Sequence, residues 1–600
     1  MNLIVLLGVV ITLATGIPVV LQLRRQHPRG LFVLFFAEMW ERFSYYGMRG
    51  ILIFYLTQHL LFSDDAASAQ YGSYTSLVYL LPLMGGIIAD RWLGTRKAVA
   101  FGALLLVAGH FTMALEGHPA QQTLHYAGQS YPVAAEGRME SRQVHLMVAG
   151  KPYEFGPGQG GGLQIKDLPA SAPLPALLPK DSYQMSAVVD PFGQSAFYIA
   201  VSLIIMGVAF LKPNISTIVG QLYRQGDPRR DAGFTLYYYG VNLGAFWASV
   251  LCGLLGQTVG WWAGFGLAGV GMAAGFVAFT LGHKQLEGHG EPPVPELLKR
   301  PLLGPINREW GIYALGLLAV IPVYFLVQVN QLVGRALGVS TVAALGFLIW
   351  FLAVKCNKVE RERMMLALVL VFGSLVFFTL FEQAGTSLNL FAARNVELGS
   401  ISAAQTQSFN AGFILIFAPI FAALWAWLAA RGRDPDPTLK FGLGLLQVGL
   451  GFLVVVWAQG LADDQYRMPL FMLGLLYLLH TTGELCLSPV GMSEVTKLSV
   501  PSVASFMMAV WFLASSIAQF VGGKIAGLMG SDTVGGQVLD PKGAFATSMH
   551  GFNQLGWAGV ACGAAFVGLS FLIKGWAHGA NDAANHPPPE PLAPTLDGER

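Results

Sequence analysis

Glu38, Glu41, Arg42, Tyr45 and Arg49 recur three or four residues apart inside an otherwise apolar stretch near residues 31–60. On a 3.6-residue period they fall on one stripe of a helix, beside the apolar Phe35, Phe36, Met39 and Phe43. Each charge at hydrocarbon depth costs about 2.5–3.5 kcal/mol even on the lenient insertion scale. A helix does not carry such groups to hold itself together, and an ion-pair ladder locking two helices seldom needs five polar residues at one depth. The stripe therefore reads as a path for protons and substrate.

Three further charges lie in apolar stretches. Lys212 sits far from either end of its stretch, too deep to reach the interface as terminal lysines do. A buried ammonium needs a carboxylate, and Glu38 or Glu41 is the expected partner; such a pair can trade a proton as the site is hydrated and closed. Glu382 lies near the outer end of its helix and is expected to pair with Arg49 across two halves of the molecule when the outside is closed. Glu484 sits mid-helix, where it can meet a ligand ammonium. Tyr45, Tyr46, Tyr79 and Trp511 offer apolar walls with a polar edge. His59, His110 and His480 read as packing residues.

These side chains need a membrane scaffold. Of 600 residues, 54% are hydrophobic and only 12% charged, about half the charge of a soluble domain. Spanning stretches are expected near 31–60, 72–90, 98–116, 194–222, 233–256 and 260–282, then 309–328 and 340–356, then 362–383, 404–430, 439–460, 468–490, 503–527 and 548–575. Six, two and six is the plan of an all-α polytopic membrane protein of the major facilitator fold: two six-helix bundles plus two inserted helices, with the site between the bundles near midplane.

The expected organisation is an extra apolar helix and linker (1–30), bundle helices 1–3 (31–116), an extracytoplasmic insertion (117–192), and bundle helices 4–6 (193–282). A cytoplasmic linker (283–308), the two inserted helices (309–361), the C-terminal bundle (362–577) and a disordered tail (578–600) follow. Basic loops, including Arg91, Arg96 and Lys97, Arg224, Arg229 and Arg230, Lys355 and Lys358, and Arg431 and Arg433, fall on one side. That side is the cytoplasm, and the C-terminus belongs there. The segment 3–22 lacks the charge order of a secretory signal and reads as an added helix. Residues 117–192 are polar, rich in Gly and Pro, and carry short alternating runs, so a small β-rich insertion is expected; the glycine run 158–162 lacks the lysine of a phosphate loop and reads as a connector. Cys252, Cys356, Cys486 and Cys562 stand singly, with no metal-ligand spacing. Nothing in the chain points to nucleic acid.

The run Glu38-Met39-Trp40-Glu41-Arg42-Phe43-Ser44-Tyr45-Tyr46-Gly47 resembles the ExxERFxYYG motif of the proton-dependent oligopeptide transporter (POT) family. Phe210 to Thr217, around Lys212-Pro213-Asn214, resembles that family's second signature, and Phe234 to Gly244, with Tyr238 and Asn242, its FYxxxNxG signature. Gly86 to Gly94 is similar to the major facilitator loop between helices 2 and 3. Phe381-Glu382-Gln383 and the run from Glu484 to Gly491 also look like family sequence.

The resemblance implies proton-coupled symport of di- and tripeptides into the cell by alternating access, in the inner membrane, by a protein that is not an enzyme and uses no cofactor beyond the coupling proton; a monomer is expected. It assigns proton coupling to Glu38, Glu41, Arg42 and Lys212, with Glu382 joining through its pair with Arg49. It places Tyr45, Tyr46, Tyr79, Asn242, Asn410 and Glu484 around the peptide. Arg49 and Lys212 can hold a carboxylate, Glu484 an ammonium, and Asn242 and Asn410 the peptide backbone. Two rivals are weaker. Transport of nitrate or another small anion has no use for a ligand-facing Glu484. A receptor or enzyme seated in the insertion would need a metal cluster or nucleophile motif, and the insertion has neither.

Overall fold

The computed structural model describes residues 3–158, 161–224, 227 and 229–579. Within them, thirteen helices are long and apolar enough to cross a membrane; Arg29–Phe54 and Thr95–Met113 complete the set. An N-terminal helix α1 (Leu3–Gln26) precedes the first bundle: α2 (Arg29–Phe54), α3 (Asp64–Leu80), α4 (Thr95–Met113), α5 (Pro191–Gln221), α6 (Arg230–Thr258) and α7 (Trp261–Leu281). The middle pair is α8 (Arg308–Leu318, continued by Val320–Gln328) and α9 (Asn330–Val354). The second bundle is α10 (Lys358–Phe381), α11 (Ser408–Ala429), α12 (Pro437–Trp457), α13 (Leu470–Leu498), α14 (Ala504–Leu528) and α15 (Pro541–Ile573). The chain is a multi-pass membrane protein of the expected two-bundle plan. Most of the tail expected to be disordered, and two residues of the 158–162 run, lie outside the described residues.

Small residues set the helix spacing where the charged stripe sits. Gly244 of α6 packs against the Met39 carbonyl of α2, and Gly47 of α2 against the Cys252 thiol, so neither position has room for a Cβ. α3 breaks at Leu81–Pro82, where proline supplies no N–H, and continues as Pro82–Ile88. In that continuation Gly85 lies directly on the Ala209 carbonyl of α5. This contact brings the Tyr79 end of α3 to the Lys212 turn of α5, which runs on through Pro213.

The middle pair packs on the outside of the bundles. Gln70 donates to the Val327 carbonyl at 3.0 Å and Ser73 bonds Asn330 at 2.7 Å, fixing the turn between α8 and α9 to α3. That turn falls about ten residues before the start expected from hydropathy, because Asn330, Gln331 and Arg335 dilute an otherwise helical stretch.

The insertion carries eight strands: β1 (Gln121–Tyr126), β2 (Gln129–Glu136), β3 (Gln143–Val148), β4 (Lys151–Tyr153), β5 (Phe155–Pro157), β6 (Leu163–Ile165), β7 (Leu177–Leu178) and β8 (Tyr183–Val188). They form an antiparallel sheet in the order β4-β3-β2-β1-β8 and a smaller one, β5-β6-β7. Positive φ at both Ala127 and Gly128, and again at Ala149 and Gly150, gives the two-residue turns whose twist suits tight hairpins. Leu124, Tyr131, Leu146, Val148, Leu163 and Ile165 make a core separate from that of the membrane helices. The insertion marks one end of the molecule, and α1 starts at that end. The basic loops lie at the other, where Arg363 holds the carbonyls of Ala577 and His578 at 3.1 and 2.9 Å.

Candidate functional site

The charged stripe of α2 is satisfied largely within its own helix. Arg42 Nε lies 2.8 Å from Glu38 Oε1 and 2.8 Å from Glu41 Oε2; the first contact is a hydrogen bond, the second an ion pair without hydrogen-bond geometry. All three residues are buried. Tyr237 of α6 sets its hydroxyl against Glu38, and the Arg42 guanidinium stands 5.9 Å from the Tyr45 ring centre. Tyr45 is buried with a hydroxyl that finds no hydrogen-bond partner among the described residues.

This arrangement corrects one sequence expectation. Lys212 pairs with neither Glu38 nor Glu41. Arg42 reaches both carboxylates from the same helix and takes the ion-pair contact with each. The ammonium of Lys212 instead stands 4.0 Å over the Tyr79 ring, a cation–π contact. No ion pair reaches it among the described residues, although both carboxylates remain within its electrostatic range.

Lys212 and Tyr79 line a cavity of about 180 Å³. The opposite wall comes from the second bundle: Phe378, Met492, Trp511, Phe512, Ser515 and Gln519. Glu484 lies on that second-bundle side. Its Oε2 accepts from Asn410 Nδ2 at 3.1 Å, and the same amide donates to Thr481 Oγ1 at 3.0 Å. No cation pairs with Glu484 among the described residues. It lies in electrostatic range of Tyr46, Tyr79 and Tyr238 of the first bundle. Asn242 is buried beside this group and spends its amide N–H on the Tyr238 carbonyl at 3.0 Å. The first bundle thus offers an ammonium, Lys212, and the second a carboxylate, Glu484, neither with an ionic partner among the described residues, and Tyr79 touches the first and lies in electrostatic range of the second.

Toward the insertion end the bundles are bolted together. Arg49 forms a salt bridge with Glu382, at the tightened end of α10, and donates from Nε to the Tyr71 hydroxyl at 2.5 Å. Asp64 takes both arms of Arg394 at 2.5 and 2.8 Å and accepts the Ser531 N–H at 2.9 Å. Ser76 and Ser516 bond across the interface at 2.7 Å. Gly72 and Gly523 let α3 and α14 approach until a Cβ at Gly72 would fall 3.0 Å from the Gly523 Cα. Asn389 reaches the Gly50 carbonyl at 2.9 Å and Gln405 the Val250 carbonyl at 3.1 Å. The cleft is closed at this end.

Sequence reasoning passed over Tyr71, Tyr237 and the Asp64–Arg394 bridge. Tyr71 was within reach, since Tyr71, Thr75 and Tyr79 follow one another at four-residue intervals on one face of α3. Asp64 reads in sequence as an ordinary acidic loop residue, and only the packing shows otherwise.

Two helical bundles with a polar cleft between them, closed at one end, are the architecture of a membrane transporter. The POT family profile matches residues 96–539, and the chain belongs to that family. It is 33% identical over 518 residues to the uncharacterized transporter YclF of Bacillus subtilis, covering 84% of this chain and 88% of that protein. It is 30% identical over 533 residues to the peptide transporter YePEPT of Yersinia enterocolitica, covering 84% and 89%. The crystal structure of a peptide transporter POT in complex with alafosfalin superposes with a TM-score of 0.68 at 30% identity, covering 92% of this chain and 96% of that one.

Proposed function

We propose that this protein carries di- and tripeptides together with protons into the cell across the cytoplasmic membrane, by alternating access. One observation carries the reading: an ammonium, Lys212, and a carboxylate, Glu484, stand on different bundles at the cleft, neither with an ionic partner among the described residues. A zwitterionic peptide supplies both missing charges. Its carboxylate goes to Lys212 and its ammonium to Glu484. Asn410, already bonded to Glu484, and Asn242 are placed to meet the peptide amides. Tyr45, Tyr46, Tyr79 and Trp511 leave the side chains loosely held, as a carrier of many peptides requires. Two of the named relatives, YePEPT and the crystallised POT, are peptide transporters, which agrees with this assignment.

Coupling follows from the same charges. Protonation of Glu41 or Glu38 loosens the hold of Arg42 and changes the field at Lys212. Protonation of Glu382 releases Arg49, and the insertion end can part. Peptide then bridges Lys212 and Glu484 and draws the bundles together around it. Each proton entering down 100 mV supplies about 2.3 kcal/mol. Uptake of di-alanine by proteoliposomes, with and without an imposed pH gradient, tests the proposal. Accumulation above the outside concentration is expected only with the gradient inward. Equal uptake in both conditions removes proton coupling, and no uptake in either removes the peptide assignment.

A further inference from the structure

The insertion belongs covalently to the first bundle. The chain leaves α4 at Met113 and rejoins at Pro191, the start of α5. Its attachment to that bundle is reinforced at the end of α2. The Gln58 side chain exchanges two hydrogen bonds with the Met139 backbone, at 2.7 and 3.2 Å. Arg138 Nε adds a bond to the Gln257 carbonyl at 3.2 Å.

The same part of the insertion also holds the second bundle. Arg142 donates from Nε and Nη2 to the Gly535 carbonyl at 2.9 and 2.7 Å, and from Nη2 to the Gln58 carbonyl at 2.9 Å. One guanidinium therefore grips both bundles. Gly535 N–H donates back to Gln122 Oε1 at 2.5 Å. Glu140 repeats the pattern: it accepts the Ala403 N–H of the second bundle at 3.2 Å and the Gln257 amide of the first.

Gly535 and Gly536 form the turn of a short hairpin, Thr533–Val534 with Gln537–Val538, and both have positive φ. The turn sits in a socket. A Cβ at Gly535 would fall 2.8 Å from Val144, and one at Gly536 2.9 Å from the Thr57 carbonyl. Leu539, just past the hairpin, packs against the core of the insertion. Arg142 has no carboxylate partner among the described residues. Burial, then the nearby Arg138, pull its pKa down to about 10, so it stays charged at neutral pH. Its charge is committed to carbonyl oxygens, bonds that are strong yet sensitive to small displacements.

We propose that Arg142 and Glu140 make the insertion a releasable strap across the closed end of the cleft, with the 533–538 hairpin as its catch. The two are positioning residues: they hold the bundles in the geometry in which Arg49 meets Glu382, and the hairpin leaves its socket whenever that end opens. The strap sets how often the end opens, while peptide recognition stays with the cleft.

The test uses the full chain in proteoliposomes, with Cys252, Cys356, Cys486 and Cys562 replaced by serine and a single cysteine at Ser76, buried in the cross-bundle contact. The readout is the rate of labelling by a membrane-impermeant maleimide. Arg142→Ala and, separately, Gln122→Ala are expected to raise that rate at least fivefold with di-alanine affinity unchanged. An unchanged labelling rate in both variants overturns the strap. As a second arm, cysteines at Gln122 and Thr533 joined by a short bismaleimide should stop uptake and suppress labelling at Ser76. Continued uptake with the crosslink complete overturns it too.

Discussion

The two ends of the cleft treat charge in opposite ways. Near the insertion, Arg49 meets Glu382 and Asp64 meets Arg394, so the charges are matched across the bundles. At the level of the cavity they are not. Arg42, Glu38 and Glu41 are matched within one helix, and Lys212 and Glu484 have no ionic partner among the described residues. A charge pair closed across an interface locks it. An unmatched pair on facing bundles is an incomplete site, and a ligand bearing both charges completes it. The difference separates residues that shut the cleft from residues that recognise what is carried.

The largest effects should come from the unmatched charges. Lys212→Ala removes the one ammonium that lines the cavity among the described residues and should abolish gradient-driven uptake. Retained accumulation would break the assignment of recognition to this level. Glu484→Gln should cost the peptide ammonium about 1.5–3 kcal/mol, roughly 10- to 150-fold in affinity. Competition by N-acetylated peptide sharpens the point: the block should matter in the parent protein and lose its effect in Glu484→Gln. Glu41→Gln should leave peptide counterflow intact while uphill accumulation is lost, since exchange needs the site but not net proton movement. Uphill transport in that variant removes Glu41 from coupling.

The matched pairs should behave differently. Arg394→Ala strands Asp64 against Ser531 and loosens the closed end without touching the cavity. Labelling of a cysteine at Ser76 should rise severalfold, while di-alanine affinity measured from the opposite face moves little. A loss of affinity as large as that of Glu484→Gln would erase the distinction between the two levels.

Much of this was legible in the sequence, for identifiable reasons. The stripe from Glu38 to Arg49 announces itself because charge in hydrocarbon is costly and a 3.6-residue period gathers it on one face. The Arg49–Glu382 bridge was legible because the two are opposite charges that lie toward the same end of their helices. The partner of Lys212 was not. Two cations compete for two carboxylates, and the outcome turns on whether Arg42 can fold back along its own helix, which spacing alone leaves open. Strand content in the insertion follows from alternating runs such as Gln143 to Val148, but the pairing of β1 with β8, across some sixty residues, does not. The docking of Arg142 was also hidden, because its partners are backbone carbonyls, which every residue has.

The smallest expected effect discriminates between two uses of the insertion. Lys166 and Glu154 pair at 3.2 Å on its outer surface, with side chains 59% and 66% exposed. Exposed pairs of this kind contribute about 0–1 kcal/mol, and salt screens them further. Lys166→Ala should therefore change neither uptake nor melting temperature measurably. If the insertion instead gathered peptides on its outer face, a lysine there would attract their carboxylates. Loss of that charge would then raise the apparent KM at low ionic strength, with the maximal rate unchanged. An unchanged KM at low and high salt leaves the docked edge, with Arg142 and Glu140, as the part through which the insertion acts.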